Sequence, residues 1–321
     1  MNAERVSELL AAHGVECRDA RRVTTGKFND TFVCEVAPGA GAVDGAGRVV
    51  VRVAPPDDAG FLFYERGMMA QEPGLHRLLR EKTSVPVPRV YIYDSTRVAV
   101  DRDFLVMEYI NGVALSDAGV SAGVRADVAR QVGSFLREVH EKCRSESYGY
   151  LGEHRCMEPQ RNWVSAFAVM WDKLIADIEA CGVYAAADAA LARDTWELRR
   201  AAFERPVVSS LLHMDIWDQN VLIGGDGRVA ALVDWDRALW GDPEIEFAVL
   251  DYCGYNTPSF WQGYGSRPEQ TPRSAVRAAF YHLYETQKYL VIWTLRSGEG
   301  PVESYRRYAL DMLRRLRAER L

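Results

Sequence analysis

The chain has 321 residues, too many for one ordinary core, which predicts one large or two medium domains. Its 48% hydrophobic and 26% charged residues are those of a soluble globular protein, and its longest apolar runs, such as Val49-Val50-Val51, are far too short to span a bilayer. A net charge of −6 argues against nucleic acid as the main partner and permits, without demanding, a cationic substrate.

The first residues, Met1-Asn2-Ala3-Glu4-Arg5, lack an apolar signal core, so a cytoplasmic protein is expected. Cys17, Cys34, Cys143, Cys156, Cys181 and Cys253 form no C-x-x-C pair. Neither a zinc site nor a disulfide framework is indicated, and reduced thiols are expected.

In chain order, residues 2–13 read as a short helix with Val6, Leu9, Leu10 and His13 on one face and Gly14 ending it. The period then changes. Phe32, Cys34 and Val36 alternate with Thr31, Val33 and Glu35, which is a strand pattern, and Arg48–Val53 is a second strand. Asp44-Gly45 is the turn signal between them, and a glycine-containing turn at Gly26 opens an antiparallel sheet. A helix is predicted over about 64–82, interrupted near Pro73, and Pro86 and Pro88 end it. Strands follow near 89–93, 97–100 and 104–107. Asn111-Gly112 marks a turn and the domain boundary.

Beyond it the pattern is mostly helical. Val124, Val128, Val132, Phe135 and Val139 step along one face, with Ser121 as the cap. Phe167, Trp171, Leu174 and Ile178 make another such stretch. Thr271-Pro272 starts a helix that Gly298 ends, and Pro301 opens the last, with Tyr305, Tyr308, Met312 and Leu316 facing inward. A hairpin over 220–234, turning at Gly224-Gly225-Asp226-Gly227, sits inside this helical region. The layout is α+β: a small sheet-rich lobe, then a larger helical lobe, with the cleft between them as the ligand site.

The most informative residues surround that hairpin. His213-Met214-Asp215-Ile216-Trp217-Asp218-Gln219-Asn220 precedes it, and Ala231-Leu232-Val233-Asp234-Trp235-Asp236 ends it. A loop carboxylate, a loop amide and a carboxylate delivered by an apolar strand are what phosphoryl transfer requires: a proton acceptor for a hydroxyl, and oxygen ligands for Mg²⁺. Any one of these residues alone would be a cap or an Asx-turn; the whole constellation points to chemistry. His213 reads as support for the loop.

These segments, with Arg237-Ala238-Leu239-Trp240-Gly241-Asp242-Pro243-Glu244 after them, resemble the signature segments of the aminoglycoside phosphotransferases. That superfamily includes choline and fructosamine kinases and is similar in fold to protein kinases. The resemblance runs in order over nearly the whole chain. It implies a bilobal protein-kinase-like fold, with an N-lobe of small antiparallel sheet over residues 1–107, a hinge at 108–112 and a mainly helical C-lobe over 113–321. It further implies an ATP- or GTP-dependent kinase of a small-molecule hydroxyl, with Asp215 as base and Asn220 and Asp234 as Mg²⁺ ligands. Gly26 and Asn29 fall in the nucleotide-covering turn, which also reads as a plain hairpin turn. Glu108 and Ile110 fall where backbone groups would hold adenine. Arg52 takes the place of the phosphate-binding lysine and pairs with Glu72; the alternatives are a surface arginine, and Glu65 as its partner.

The acceptor is less determined. Asp236 either joins the metal or substrate site or pairs with Arg237. Trp217 and Trp240 read as packing residues and Asp242 as a helix cap. Asp218, Glu246, Glu285 and the acids of 172–179 are candidates for a cleft rim, which would suit an amine-bearing acceptor. Three readings follow: an aminoglycoside-type antibiotic kinase, a metabolic kinase of fructosamine, sugar or amino alcohol, and a silent nucleotide-binding module. No Ala-Pro-Glu segment follows Asp234, which sets protein kinases aside. A monomer or weak homodimer is expected.

Overall fold

A computed structural model describes residues 1–26, 28–37, 41–43, 45–58 and 60–318. Asp44 of the expected Asp44-Gly45 turn lies outside the described residues. Helix α1 (Ala3–Ala12) begins at Asn2, whose side chain accepts from the Arg5 N–H, and buries Val6, Leu9 and Leu10. Strands β1 (Cys17–Val23), β2 (Asp30–Val36) and β3 (Arg48–Val53) follow. β1 has no apolar alternation: its sequence, Cys-Arg-Asp-Ala-Arg-Arg-Val, leaves most positions exposed at the sheet edge. Helix α2 (Glu72–Lys82) is shorter than the stretch predicted over 64–82. Gly67 at φ +71° breaks that stretch, and Pro73 sits in the first turn of α2, where its missing N–H costs nothing. Strands β4 (Val90–Asp94) and β5 (Phe104–Glu108) complete a five-stranded antiparallel sheet of order β1-β2-β3-β5-β4. The predicted strand at 97–100 is absent, and Arg97 there has φ 57°.

Thr31, Arg52 and Leu105 stand opposite one another across the sheet, as do Val33, Val50 and Met107. The two-residue repeat therefore puts Arg52 on one face with Val33 and Val50. The other face, with Phe32, Val49, Val51 and Val106, packs against α1.

The larger lobe runs through β6 (Val113–Ala114), α3 (Ala122–Lys142), β7 (Arg144–Ser145), α4 (Trp163–Ala180), α5 (Ala186–Arg199), β8 (Ser209–Leu212), β9 (Val221–Ile223), β10 (Val229–Leu232), β11 (Leu239–Gly241), α6 (Pro243–Tyr252), α7 (Pro258–Tyr264), α8 (Pro272–Ile292) and α9 (Val302–Ala318). Two small sheets, β10-β9-β6 and β11-β8-β7, hold the loop 213–220 between their strands. Ser121 caps α3 through the Val124 N–H, and Thr271 caps α8 through the Ser274 N–H. Helices α3 and α7 approach so closely that a Cβ on Gly133 would lie 2.2 Å from the Phe260 carbonyl oxygen. In α9, Leu316 is buried and Tyr305 and Met312 pack against the helical core, as expected, beside Ala309, Leu310 and Leu313; of the four residues expected inward, Tyr308 is exposed.

The hydrophobic clusters cross the expected boundary near residue 108. Leu62 and Tyr64, from the segment between β3 and α2, lie buried in the cluster built on α4, α5, α8 and α9. Leu75 and Leu79 of α2 join Val128, Val132 and Leu136 of α3. This burial ties the sheet-bearing lobe to the helical one and fixes α2, and with it Glu72, relative to the hairpin.

Candidate active site

Two charged clusters meet at the end of the β9–β10 hairpin. The chain leaves β10 at Leu232 and reaches Asp234 in the left-handed region (φ 70°, ψ 58°), then makes a short 3-10 turn over Trp235–Arg237. A β-carbon-bearing residue held there stores backbone strain, which packing must offset; Trp235, with no solvent exposure, supplies it. The turn sends Asp234 and Asp236 one way and Arg237 another.

Asp234 and Asp236 face Arg52. Its Nη1 lies 2.7 Å from both Glu72 oxygens, and its Nη2 donates to Asp234 Oδ1 at 2.5 Å and to Asp236 Oδ2 at 2.9 Å. Burial opposes the guanidinium charge, but Asp234, Glu72 and Asp236 outweigh it, and the Arg52 pKa is raised. Asn29, from the turn between β1 and β2, donates to Asp236 Oδ2 at 3.3 Å, so that turn folds over the cluster; Gly26 precedes it. Gln71 donates to the main-chain oxygens of Asp236 and Ala238, closing the back. Three carboxyl groups thus face one guanidinium. Burial and the neighbouring Asp234 charge push the Asp236 pKa well up. Oxygens of Glu72, Asp234 and Asp236 lie within 4.8 Å of one another. This hard-oxygen donor set with an uncompensated negative charge fits a divalent ion such as Mg²⁺. Arg52 pairs with Glu72, and Glu65 is taken up instead by Arg296 at 2.9 Å. Asp236 pairs with Arg52 rather than with Arg237.

Asp215 forms the second cluster. Asn220 Nδ2 donates to the Asp215 main-chain oxygen at 2.8 Å and to its Oδ2 at 2.9 Å, while Arg237 Nη1 donates to Oδ1 at 2.6 Å. Burial works against the Asp215 carboxylate, yet Arg237, with Lys288, more than compensates, and its pKa is lowered. Arg237 Nη2 lies 3.6 Å from Glu285 Oε2, and Lys288 closes on Glu285 Oε1 from one turn further along α8.

His213 supports the loop, as expected: its Nε2 faces the Val233 oxygen at 3.0 Å, and its Nδ1 accepts from the Asp215 N–H. Burial lowers its pKa, which agrees with a neutral ring that accepts at Nδ1 and donates at Nε2. Met214 has φ 64°, and the N–H groups of His213 and Met214 both donate to Glu246 Oε1, at 2.7 and 2.8 Å. Glu246 therefore stands beneath the loop, fully buried, with its other oxygen on His140 at 2.7 Å. That corrects its expected place on the substrate rim; the reason is that the left-handed Met214 leaves two N–H groups converging on one acceptor. Sequence periodicity alone carries no signal for that.

The remaining rim candidates are also engaged. Asp218 pairs with Arg125 at 2.6 Å, and Glu285 is 1% exposed between Arg237 and Lys288. Asp172 and Glu179 pair with Arg193, and Asp177 accepts the Phe63 N–H at 2.8 Å. Asp242 caps α6 through the Glu244 N–H, as expected. The side chains of Asp215 and Asp234 remain 26% and 33% exposed, so these two carboxylates, unlike Asp236 and Glu285, keep a face open. Where a hinge is expected, Glu108 ends β5 with its side chain on the Arg89 N–H, and the Ile110 oxygen accepts from Gly112. An open cavity of about 580 Å³ lies there, lined by Arg48, Tyr91, Glu108, Tyr109 and Asn111 among others.

A sheet lobe followed by a helical lobe, with these two clusters meeting at the end of the hairpin, defines a protein-kinase-like phosphotransfer fold. Residues 40–275 match the profile of the phosphotransferase enzyme family, and the chain belongs to that family. It is a small-molecule kinase and uses a nucleotide. A probable ketoamine kinase of Vibrio parahaemolyticus is 26% identical over 75% of this chain and 78% of its own length. A putative fructosamine-3-kinase from Thermobifida fusca superposes with a TM-score of 0.68 at 17% identity, covering 99% of this chain and 100% of that one. A thermostable mutant of the aminoglycoside phosphotransferase APH(4)-Ia, in ternary complex with ADP and hygromycin B, superposes with a TM-score of 0.66 at 21% identity, covering 97% and 98%. Among the described residues, no helix is long and apolar enough to cross a membrane.

Proposed function

We propose that this chain transfers the terminal phosphoryl group of ATP or GTP to a hydroxyl of a ketoamine, a sugar carrying an amine. The observation that carries the acceptor class is the state of the acidic rim. A polyamine antibiotic would need several carboxylates free to meet ammonium groups. Here Glu285 is buried between Arg237 and Lys288, Glu246 is beneath the loop, and Asp218, Asp172 and Glu179 each have an arginine partner at the surface. A singly charged ketoamine needs far less opposing charge, and the ketoamine-kinase relatives support the same reading.

In this reading Asp215 accepts the proton of the acceptor hydroxyl as its oxygen takes the phosphoryl group. Asn220 holds the carboxylate at Oδ2. Arg52 binds phosphate oxygens through its forked donors while Glu72 keeps it extended. Asp234 and Asp236, whose oxygens lie within 4.8 Å of each other, would hold Mg²⁺ together with Asn220, the ligand that the family resemblance implies; bound there, the ion would supply charge that offsets the transferring group. Gly26 and Asn29 cover the phosphates, and the backbone of Glu108 and Ile110 meets adenine, with Val33 and Val50 as its apolar platform.

The test is a coupled ADP-release assay with MgATP and MgGTP over fructosamines, aminoglycosides, free sugars and choline-like amines. Turnover on a fructosamine that vanishes in Asp215→Ala is the expected result. Turnover on aminoglycosides alone would overturn the acceptor class and leave the phosphotransfer reading standing.

A further inference from the structure

We propose that Arg237 is the positioning residue for Asp215, and that Glu285 and Lys288 of α8 set Arg237 in turn. This rests on the reading of Asp215 as the proton acceptor. The loop from His213 to Asn220 contains neither lysine nor arginine, so no cation for Asp215 comes from its own loop. The cation comes instead from beyond the hairpin, at 2.6 Å from Oδ1.

The two donors on Asp215 differ in kind. Asn220 belongs to the loop and also grips the Asp215 main-chain oxygen, so it moves with the residue it holds. Arg237 is anchored elsewhere. It is 9% exposed, its guanidinium lies 5.6 Å from the Tyr64 ring centroid, and its other terminal nitrogen faces Glu285. Glu285 and Lys288 are 1% and 4% exposed, and Lys288 lies over the Tyr289 ring at 4.9 Å. Asp215, Arg237, Glu285 and Lys288 therefore form an alternating row of two carboxylates and two cations, largely shielded from water. In such a place an unpaired charge is expensive, so each member restricts the next. The rotation of the Asp215 carboxylate about Cβ–Cγ is then set by a fixed external point. A misplacement of about 1 Å at a reacting group costs on the order of 10²-fold in rate.

The row also links two parts of the molecule. Tyr64 comes from the segment inserted from the sheet lobe, and Glu285 and Lys288 from α8, so both lobes contribute to where Asp215 points.

The experiment is steady-state kinetics of Arg237→Gln, Arg237→Lys and Glu285→Gln with MgATP and a fructosamine, each also in an Asp215→Asn background. If no fructosamine is turned over, the same variants are read on basal MgATP hydrolysis, where water replaces the acceptor. Arg237→Gln is expected to lower kcat about 100-fold and Arg237→Lys about 10-fold, with KM for MgATP within about twofold. In the Asp215→Asn background, Arg237→Gln is expected to cost less than about threefold, because the effect runs through the missing carboxylate. Glu285→Gln leaves Arg237 itself unchanged, and is expected to lower kcat about fivefold with MgATP affinity unchanged. Unchanged kcat in Arg237→Gln, or an equal loss with and without Asp215, overturns the proposal for Arg237. Unchanged kcat in Glu285→Gln overturns the part assigned to α8. Normal turnover in Asp215→Asn removes the proton-acceptor reading itself and the proposal with it, an outcome distinct from failure at Arg237 alone.

Discussion

The two charged clusters are built on opposite plans. Around Arg52, three carboxylates share one guanidinium, from both lobes and from the turn at Asn29. Around Asp215, two carboxylates alternate with two cations, and all four side chains belong to the helical lobe. The first cluster is short of positive charge and has one open carboxylate, Asp234, so it is arranged to take up a cation. The second is balanced, so it is arranged to hold one group still. Four residues, Asp234 to Arg237, feed both, which makes the strained turn at the end of β10 the joint between the two clusters.

The comparison is broken most decisively by removing its open members. Asp215→Ala is expected to lower kcat by 10³-fold or more while MgATP affinity stays within about twofold, by ADP release and equilibrium binding. A loss of nucleotide affinity of the same size would mean that the two clusters are not separable. Asp234→Ala is expected to weaken MgATP binding at least about tenfold and to leave Mg²⁺-free nucleotide binding nearly unchanged. Equal binding of MgATP by variant and parent would take Asp234 out of the charge-deficient cluster.

The frame that keeps the clusters together is tested by Leu62→Ala. Leu62 carries the sheet-lobe segment into the helical core, and its truncation is expected to cost about 2–5 kcal/mol, read as a lower urea midpoint. A midpoint within error of the parent would show that the inserted segment is not part of the common core.

The smallest effect concerns Asp177, which holds the Phe63 N–H of the same segment. Burial raises its pKa to about 6 from an ordinary value of 3.8. A raised carboxyl pKa means that the folded chain holds the proton more tightly than the unfolded one. Its contribution is therefore complete below about pH 3.8 and is lost as pH rises through 6. Asp177→Asn is expected to raise the melting temperature at pH 7.5 relative to the parent and to leave it unchanged near pH 4. The gain is of order 1 kcal/mol, since water still reaches the group. A gain equal at both pH values would assign the effect to packing.

Much of the site could be read in the chain because phosphoryl transfer leaves local marks. Asp215, Asn220 and Asp234 sit at short spacings around one hairpin, and the alternation through Val49, Val51 and Val53 singles out Arg52 as a charge on an apolar strand. The pairing of Arg52 with Glu72 was one of two options the sequence left open; the structure decides it by giving Glu65 to Arg296. Cys17–Val23 was not legible, because an edge strand rich in arginine buries little and shows no alternation. The helix expected to begin near 64 starts eight residues later, because Leu62 and Tyr64 are held in a distant core that no local pattern records.

The sequence by itself determined the family, the two-lobe layout and the identity of the residues that bring oxygen and charge to the cleft. These depend on short-range spacing, helix caps and strand period, all written within a few residues of each other. Only the tertiary structure decided how those charges are shared: Asp236 with Arg52, Asp215 with Arg237, Glu246 under the loop, and the rim acids with their arginines. Such partners are 14 to 184 residues apart, and which of several carboxylates an arginine meets is set by three-dimensional packing, where the cost of burying an unpaired charge selects one arrangement.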